Sequence, residues 1–475
     1  MATPIAPYLP TGIHVVIVGA GFGGLTASIE ARLKGHTVSV LEKAPRWEQH
    51  GDIISISQNA GRVLSRWDPA WIGDKLRKIC MNHKSFMINT HKGEFIFEQP
   101  IVAPDPERPT YNGHRAEIHR VLLDYAEHLG VRFYMGKRVT AYKEDPKLGK
   151  AWVECDDGET FIGDVVIGAD GVRSRARKLA LGLDDKVQST GYAVYRSWFN
   201  VEEHGILDDP LTREFAERGD THTGWLGPDV HLLVATCKGG RELSWVCTHK
   251  DDGDIDESWS YPGRVEDVLK LLEGWDPRCR AIIAKTPSLV DWKLVHREPL
   301  PTWITPGGHI CLIGDAAHPF LPTSIQGCSQ AIEDGVAIAT LLSLTHTDKQ
   351  IPDAQKIPSA LKIYERLRYD RVKSAQKKGE EVRDMWHKAD WEKVRLNPGS
   401  IKLPREDWLL KHDCEKFVRR MYKRALAELD GGDRIPITSL AASRESDEFL
   451  IEMPPTPVAT PECEVEDPLG TGTSR

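Results

Sequence analysis

Short apolar runs alternate with segments of helical periodicity in the first part of the chain. The runs Ile13 to Val18 and Thr37 to Leu41 are rich in β-branched residues, and a helical stretch from Leu25 to Leu33 separates them. Strands that are apolar on both faces are typical of parallel sheets covered by helices. The pattern therefore predicts a strand–helix–strand unit of an α/β fold.

Two later apolar runs have the same character, and each is followed by a glycine and an aspartate. Asp164 to Ala169 leads into Asp170-Gly171, and Ile310 to Ile313 leads into Gly314-Asp315. A helical stretch from Ser329 to Leu344 follows the second of these strands. Both runs are predicted to be buried strands, so the α/β domain is interrupted and completed later in the chain.

Residues 186–289 instead alternate apolar and polar positions, in the manner of half-buried strands. The strands predicted there are 192–201, 231–236 and 243–248. This segment predicts a substrate-binding sheet domain, inserted into a discontinuous nucleotide-binding domain of residues 10–185 and 290–375. Charged residues in a helical pattern follow, and residues 376–430 are predicted to form a C-terminal helical segment.

The composition changes from about Gly431 onward. Residues 431–475 contain six prolines, nine acidic and three basic residues, and so carry −6 of the net charge of −8. A segment of this kind buries too little apolar surface to offset the conformational entropy that ordering removes. We therefore predict a disordered acidic tail, and we favour a solvated extension over a tail that binds a partner.

The composition of the whole chain is ordinary for a soluble protein of 475 residues, with 40% apolar and 28% charged residues. No stretch is long and apolar enough to span a membrane, and no basic cluster indicates nucleic acid. Met1 to Thr11 lacks the features of a secretory signal. The nine cysteines are scattered without a C-x-x-C pair, which favours reduced thiols and a cytoplasmic location and gives no metal site. The oligomeric state stays open, a homodimer included.

Glycines at the first strand–helix junction fit a dinucleotide-binding fingerprint. Gly19 permits a tight turn, Gly21 lets the backbone approach a pyrophosphate, and Gly24 lets the helix pack closely on the strand. The pyrophosphate would lie at the helix N-terminus. Glu42, about 20 residues downstream, is placed to accept hydrogen bonds from a ribose, and we assign Lys43 beside it to the same site. The alternative is a tight turn in an ordinary α/β fold.

The later junctions add carboxylates and a second helix start. Asp315 can bind a ribityl hydroxyl, although capping of a helix is the alternative. Asp170 with Gly171 is a common turn signal when taken alone. A helix that begins near Gln326 and Gly327 would direct N–H groups at an anionic flavin ring. The three segments, in this order, predict FAD as the bound cofactor.

With these motifs the chain resembles the single-component FAD-dependent aromatic hydroxylases of the para-hydroxybenzoate and salicylate hydroxylase type, over roughly residues 10 to 420. The resemblance implies a Rossmann-like FAD-binding domain of the GR2 type, with an inserted β-sheet substrate domain and a C-terminal helical segment. His114 to Arg120 resembles the family's helix start, whose arginine contacts the cofactor. The residues that the resemblance assigns to FAD are Ser55, Arg115, Val139, Asp170, Asp315, Gly327 and Cys328.

The reaction that the resemblance implies is a hydroxylation. NADH or NADPH reduces FAD, O2 adds to give a C4a-hydroperoxide, and its distal oxygen transfers to an electron-rich aromatic carbon of a salicylate-like substrate. The protein must then exclude water and favour the deprotonated substrate. Because no second fingerprint is evident, the flavin must also move to meet the nicotinamide.

Two residues of the predicted sheet domain are candidates for catalysis. Arg196, after Tyr195 on a predicted strand, could hold a phenolate or carboxylate by charge-assisted hydrogen bonds. His231 ends a Gly-Pro-x-x-His turn like that of salicylate-type relatives and could act as a base. An outward-facing arginine and a structural histidine are the alternatives. For His318, beside the Gly-Asp motif, we favour a structural or flavin-loop role over proton transfer.

Three departures from the family pattern leave other functions open. Ala235-Thr236 stands where relatives often carry Tyr-Pro, and Ser55 stands where some carry histidine. Ile325 replaces the first glycine of a Gly-Gln-Gly loop. The first two weaken the expected activation of a phenol, so an epoxidase of an alkene in secondary metabolism is one alternative. A flavoprotein without oxygenase activity is the other.

Overall fold

The computed structural model describes residues 9–47, 51–100, 105–251, 261–429 and 431. The strands are β1 (His14–Val18), β2 (Thr37–Glu42), β3 (Ile53–Ile56), β4 (Ser85–Thr90), β5 (Phe95–Pro100), β6 (Tyr111–His114), β7 (Arg132–Met135), β8 (Val139–Asp145), β9 (Lys150–Cys155), β10 (Thr160–Gly163), β11 (Val165–Gly168), β12 (Gln188–Asn200), β13 (Thr221–Gly227), β14 (Val230–Cys237), β15 (Glu242–Lys250), β16 (Tyr261–Pro262), β17 (Val290–His296) and β18 (Ile310–Leu312).

The α-helices are α1 (Phe22–Leu33), α2 (Gln58–Trp67), α3 (Asp74–Ile79), α4 (Arg115–His128), α5 (Ala176–Leu179), α6 (Pro210–Glu217), α7 (Val265–Leu271), α8 (Pro277–Ala284), α9 (Gly327–Thr347), α10 (Asp353–His387), α11 (Trp391–Leu396), α12 (Asp407–Leu410) and α13 (Cys414–Leu429). A π turn covers Pro69–Gly73, and short 3-10 helices cover Gly314–Ala316, Pro322–Ser324 and Pro398–Ile401.

A five-stranded parallel sheet, in the order β18-β11-β1-β2-β7, forms the first layer. Val15, Ile17 and Val166 on its central strands are fully buried, as their apolar runs predict. Helix α9 packs closely on α1, because a Cβ at Gly335 would lie 2.7 Å from the backbone nitrogen of Ala27. The predicted α/β nucleotide-binding fold is confirmed.

The carboxyl ends of these parallel strands lie at one edge of the sheet. The glycine turn follows β1, Glu42 ends β2, Asp170 follows β11, and Asp315 follows β18. The motifs that are far apart in the sequence therefore meet at this edge.

A second sheet of eight strands has the order β16-β17-β12-β15-β14-β13-β4-β5. The predicted strands of the inserted domain correspond to β12, β14 and β15. The sheet also takes β4, β5 and β17 from outside residues 186–289, so the predicted boundaries do not contain it. Local pattern gave no sign of this, because β4 joins the sheet by pairing in parallel with β13, far along the chain.

The two faces of the second sheet have different neighbours. On β12, side chains alternate, so Tyr195 and Phe199 lie on one face and Arg196 and Trp198 on the other. Phe199 belongs to an apolar cluster with residues of α6, α7 and α8. The face of Arg196, here called the inner face, contacts the nucleotide-binding layer through an ion pair with Asp52.

Helix α10 joins the two layers. Its first part packs on α9, the Gln376 amide donates to the Pro319 carbonyl at 2.8 Å, and Val382 and Trp386 near its end pack with β4, β5 and β13. The helix runs without a break through the boundary predicted at residue 376, since no proline or glycine pair interrupts it there. The predicted helical segment 376–430 is thus the continuation of α10 together with α11, α12 and α13.

No helix among the described residues has the length and the hydropathy of a membrane span. The eight cysteines from Cys80 to Cys414 are free thiols. The predicted acidic tail, residues 431–475, lies outside the described residues except for Gly431.

Candidate functional site

The turn between β1 and α1 depends on three glycines in three different ways. Gly19 has a φ of +104°, and a Cβ there would lie 2.4 Å from the Ala169 carbonyl oxygen. A Cβ at Gly24 would lie 2.0 Å from the Gly19 carbonyl oxygen. A Cβ at Gly21 would meet no described atom within 4 Å. The turn is therefore closed on the protein side and open at Gly21, where a pyrophosphate could approach the N-terminus of α1.

Glu42 is held at the end of β2 by backbone groups. Its two carboxylate oxygens accept hydrogen bonds from the Ala20 and Ala44 nitrogens, at 3.0 and 2.9 Å. Each oxygen keeps a second lone pair, so a ribose hydroxyl could still donate to it. Lys43 is exposed beside it.

Asp170 fixes the turn after β11. Its Oδ2 accepts from the backbone nitrogens of Arg175 and Ala176, at 2.8 and 3.1 Å, while its Oδ1 is buried and has no partner among the described residues. The first oxygen thus has the structural role that the turn signal indicates. The second oxygen is free to accept a hydrogen bond, and the predicted contact of Asp170 with FAD stays a prediction.

Arg177 connects the second motif to the third, a role that no sequence motif indicates. Its guanidinium donates to the carbonyls of Asp315 and Ala316, at 2.5 and 2.8 Å, and to that of Val172 at 2.8 Å. Arg177 is 1% exposed and pairs with Asp185. An arginine this deeply buried must have such partners, but nothing near it in sequence indicates that they lie in the Gly-Asp motif.

Asp315 stands at the junction of the two layers. Burial raises the pKa of its carboxyl, and the charges of His318, Arg177 and Arg115 offset part of that rise. Asp315 lines a small open cleft with a cavity volume of about 20 Å³. The other lining residues are Val172, Trp292, Leu294, Val295, Pro319, Phe320, Leu321 and Pro322. A half-buried carboxylate that opens to a cleft fits a hydroxyl donor such as the ribityl chain.

The first turn of α9 lies close to Asp315. Helix α9 begins at Gly327 without a side-chain cap, so its first N–H groups are available to an acceptor. Burial raises the pKa of the Cys328 thiol, and the charges of Arg115 and Asp315 also act on it. Arg115, Asp315 and Cys328 therefore lie near one another, with Gly327 next to Cys328, and their contacts with a flavin ring stay predictions.

Arg115 and two further residues that the resemblance assigns to FAD, Ser55 and Val139, have contacts within the protein that do not show where the cofactor lies. Arg115 begins α4, lies over the ring of Phe22 at 5.8 Å, and donates its backbone N–H to the Asp52 carbonyl at 2.8 Å. Ser55 lies on β3, opposite Asn112 of β6. Val139 is buried at the start of β8. Their contacts with FAD stay predictions.

A buried ionic network, which the sequence analysis did not identify, supports the Gly-Asp motif from behind. Asp334 of α9 accepts from the Gly314 nitrogen at 2.9 Å, from His318 Nε2 at 2.6 Å and from Arg368 Nε at 2.9 Å. Burial alone would raise the pKa of Asp334, but the charges of His318 and Arg368 bring it below its usual value. His318 therefore has the structural role that the sequence favoured.

The same network continues through Glu333. Glu333 pairs with Arg368 and Arg371 and accepts from Asn59 Nδ2 at 2.6 Å. Burial would raise its pKa, but the two guanidinium groups hold it well below the usual range. His412 and Cys414 lie beside Glu333. Arg368 and Arg371 already neutralise the Glu333 carboxylate, so the charge at this cluster does not favour a metal cation.

The loop before α9 has an unusual backbone at Ile325. Its φ of 54° and ψ of 22° lie in the left-handed region, which a β-branched residue rarely adopts. The expected cost is roughly 1–2 kcal/mol relative to glycine. The departure from Gly-Gln-Gly thus falls at the position where glycine would fit without strain.

Arg196 extends from the inner face toward the cleft. Its Nη1 donates to Asp52 Oδ2 at 2.8 Å, and its guanidinium lies 4.6 Å from the centre of the Trp292 ring. Trp292 lines the cleft with Asp315. The arginine therefore lies beside the cleft with an acidic partner. Tyr195 points the other way and stacks on His249 at 4.1 Å.

His231 lies away from the cleft, beneath the end of α10. Its Nδ1 bonds His387 Nε2 at 2.8 Å, its Nε2 bonds Thr248 Oγ1 at 3.1 Å, and Trp386 packs on its ring. Burial, reinforced by His387, lowers the pKa of His231 to about 3. Both ring nitrogens are engaged within the protein, so the geometry favours the structural alternative over a catalytic base.

Comparison with known proteins agrees with this arrangement. The family model "FAD binding domain" matches residues 12–375. The chain is 32% identical to FAD-dependent monooxygenase fsr3 of Gibberella fujikuroi, over 91% of this chain and 84% of that protein. A crystal structure of CtdE in complex with FAD and a substrate superposes with a TM-score of 0.81 at 31% identity, and covers 88% of this chain and 100% of that one.

A salicylate hydroxylase substrate complex also superposes, with a TM-score of 0.69 at 21% identity, over 86% of this chain and 97% of that one. This last likeness concerns the fold alone. Together the matches confirm the predicted resemblance and FAD as the cofactor.

Proposed function

Since the chain belongs to the FAD-binding-domain family and is an FAD-dependent monooxygenase, we propose that it takes electrons from NADH or NADPH and transfers one oxygen atom of O2 to an aromatic small molecule. The observation that carries the proposal is the cleft between the two layers, with Asp315 on one side and Trp292 on the other. An aromatic ring held against Trp292 would face the cofactor motifs.

FAD, when bound, supplies the two-electron redox chemistry and the activation of O2. The chain's own groups would hold it along the edge of the parallel sheet. The backbone near Gly21 would bind the pyrophosphate, Glu42 the ribose and Asp315 the ribityl chain. The N-terminus of α9 would stabilise negative charge on the ring.

The cleft walls suit contact with an aromatic substrate. Apart from Asp315 the lining is apolar, and Trp292, Leu294, Phe320 and Leu321 supply much of it. Apolar walls with a few polar groups are typical of small-molecule sites. Exclusion of water would protect the oxygen transfer from loss as H2O2.

Arg196 would orient the substrate in this site. Its guanidinium stacks on Trp292 and could donate to a hydroxyl or carbonyl of the substrate. Asp52 balances the positive charge of Arg196. We therefore propose that the substrate is a phenol or a neutral aromatic, rather than an aromatic acid whose carboxylate needs a cation without an acidic partner.

Epoxidation of an electron-rich double bond is a second candidate, and the inner face supports it. His231 has both nitrogens engaged, and Ala235, where relatives often carry tyrosine, packs with Met81 and Cys237. Neither of these two positions therefore supplies a base that could deprotonate a phenol. Attack on a carbon–carbon double bond does not need one.

The test is NADH and NADPH consumption by the FAD-loaded protein, with H2O2 trapped, across phenols, hydroxylated aromatic acids and alkenes. We expect one class to accelerate consumption, with H2O2 well below the nicotinamide consumed and an oxygenated product. Trp292→Leu should abolish the acceleration, whereas Trp152→Leu, in the separate sheet of β8, β9 and β10, should not. Slow oxidation that yields only H2O2 with every compound would contradict the proposal.

A further inference from the structure

The loop between the Gly-Asp motif and α9 is anchored on both sides of Ile325. On the N-terminal side, Thr323 Oγ1 donates to the Gly379 carbonyl at 2.7 Å. A Cβ at Gly379 would lie 2.8 Å from the Cβ of Ser324. Glycine within a long helix is unfavourable, so its presence here reflects the close approach of α10 to the loop.

On the C-terminal side, Gln326 is 2% exposed and is fixed by other side chains. Its Oε1 accepts from Asn59 Nδ2 at 3.3 Å and from Gln330 Nε2 at 3.0 Å. The carbonyl of Ile325 accepts from Ser57 Oγ at 3.2 Å, just after β3. Hydrogen bonds and close packing therefore fix the loop on both sides of Ile325 as well as the Ile325 carbonyl. These contacts impose the left-handed backbone of Ile325.

The side chain of Ile325 is left uncovered by this arrangement. It is 40% exposed, whereas Gln326 is buried and Leu321, which lines the cleft, is 7% exposed. A single exposed isoleucine needs no explanation by itself. An exposed isoleucine at a strained position does need an explanation, because strain of this kind clusters at functional sites. Ile325 lies two residues before Gly327, where the helix that would face the flavin begins.

We propose that the side chain of Ile325 covers the edge of the bound flavin and limits the access of solvent to it. The inference rests on the proposed function, because it assigns a role at the same site. This role explains why isoleucine occupies a position where glycine would be free of strain, because only a side chain can cover the flavin.

The test compares the wild-type protein with Ile325→Gly and Ile325→Val. Glycine removes the side chain and relieves the backbone, whereas valine keeps a β-branched side chain at the same strained position. All three are loaded with FAD, and iodide quenching of the residual flavin fluorescence measures how far solvent reaches the ring. We expect the quenching constant to rise at least about threefold in Ile325→Gly and to change little in Ile325→Val.

A second readout uses no cofactor. The melting temperature of the apoprotein should be equal or higher in Ile325→Gly, since the backbone strain is removed, which separates a covering role from a stabilising one. Equal quenching constants in all three proteins, each binding FAD one to one, would overturn the inference, as would a lower melting temperature in Ile325→Gly. Failure of the proposed function would appear separately, as a wild-type protein that no added compound stimulates to consume NADH or NADPH.

Discussion

The edge of the parallel sheet and the inner face of the second sheet are built on different principles. At the edge, the groups assigned to FAD keep capacity for a ligand: Gly21 is open, Asp170 Oδ1 has no described partner and α9 starts uncapped. On the inner face, the two predicted catalytic side chains are already engaged by protein groups. Arg196 pairs with Asp52, and His231 bonds to His387 and Thr248.

This difference explains why sequence motifs describe one region well and the other poorly. The edge depends on backbone conformation and on strand ends, which short local patterns encode. The inner face depends on which residues of distant elements meet, and no local pattern encodes that. The following experiments test whether the two regions also differ in how they respond to change.

The largest effect is expected behind the edge, in the ionic network. Arg368→Met would leave Glu333 and Asp334 buried with one cation fewer, at a cost of about 3–5 kcal/mol. Urea unfolding of the apoprotein measures it. Lys423→Met, which removes an exposed partner of Asp348, is the control and should cost less than about 1 kcal/mol. Equal losses in the two variants would contradict the role of the network.

The same network predicts a dependence of stability on pH. The pKa values of Glu333 and Asp334 are lower in the folded protein than their usual values of 4.5 and 3.8. As the pH falls, these two carboxylates are protonated in the unfolded chain before they are protonated in the folded protein. The stabilisation that the network provides is therefore complete above about pH 4.5 and is lost as the pH falls below that value. Arg368→Met should flatten this acid dependence of the urea midpoint.

The next prediction distinguishes the roles of Gly21 and Gly24 at the edge of the parallel sheet. Gly24→Ala should lower FAD affinity roughly 100-fold, or about 2.8 kcal/mol, and also the melting temperature of the apoprotein, because the new methyl meets the Gly19 carbonyl. Gly21→Ala should lower FAD affinity while the apoprotein melts as before, since the methyl meets only the bound cofactor. A drop in apoprotein stability in both variants would show that Gly21 is structural.

Much of the fold could be predicted from local sequence pattern. The features that local pattern did not predict share one cause. The buried parallel strands lie where the apolar runs predict them. The chain's β4 was missed as part of the second sheet because its partner β13 is far away in sequence. Arg177 and Asp334 were missed for the same reason, since their partners lie 138 and 34 residues from them. Pairing across such distances is decided by packing, which the sequence does not display.

A smaller effect is expected on the inner face, from Asp52→Asn. The asparagine should still accept from Arg196 but leave its positive charge unbalanced, so salicylate should bind about tenfold more tightly, or about 1.4 kcal/mol. Titration of the bound flavin's absorbance measures it. Glu242→Gln, which alters an acid that bonds Trp198 and Lys238 on the same face, should change the affinity less than about twofold. Unchanged salicylate affinity in Asp52→Asn would place Arg196 outside the substrate site.

The smallest effect decides the role of His231. If the residue is structural, His231→Asn should lower the free energy of unfolding by about 1 kcal/mol, because His387 loses its partner. The pKa of His231 falls to about 3 in the folded protein, so its contribution is complete above the usual value of 6.5 and declines as the pH falls below it. The variant should therefore lose less stability than the wild type between pH 7 and pH 5, and the pH profile of substrate-stimulated NADH or NADPH consumption should keep its shape. A variant of unchanged stability whose pH profile loses a limb would instead make His231 the base that the sequence suggested, and the inner face would then resemble the cofactor edge in keeping a group ready for its ligand.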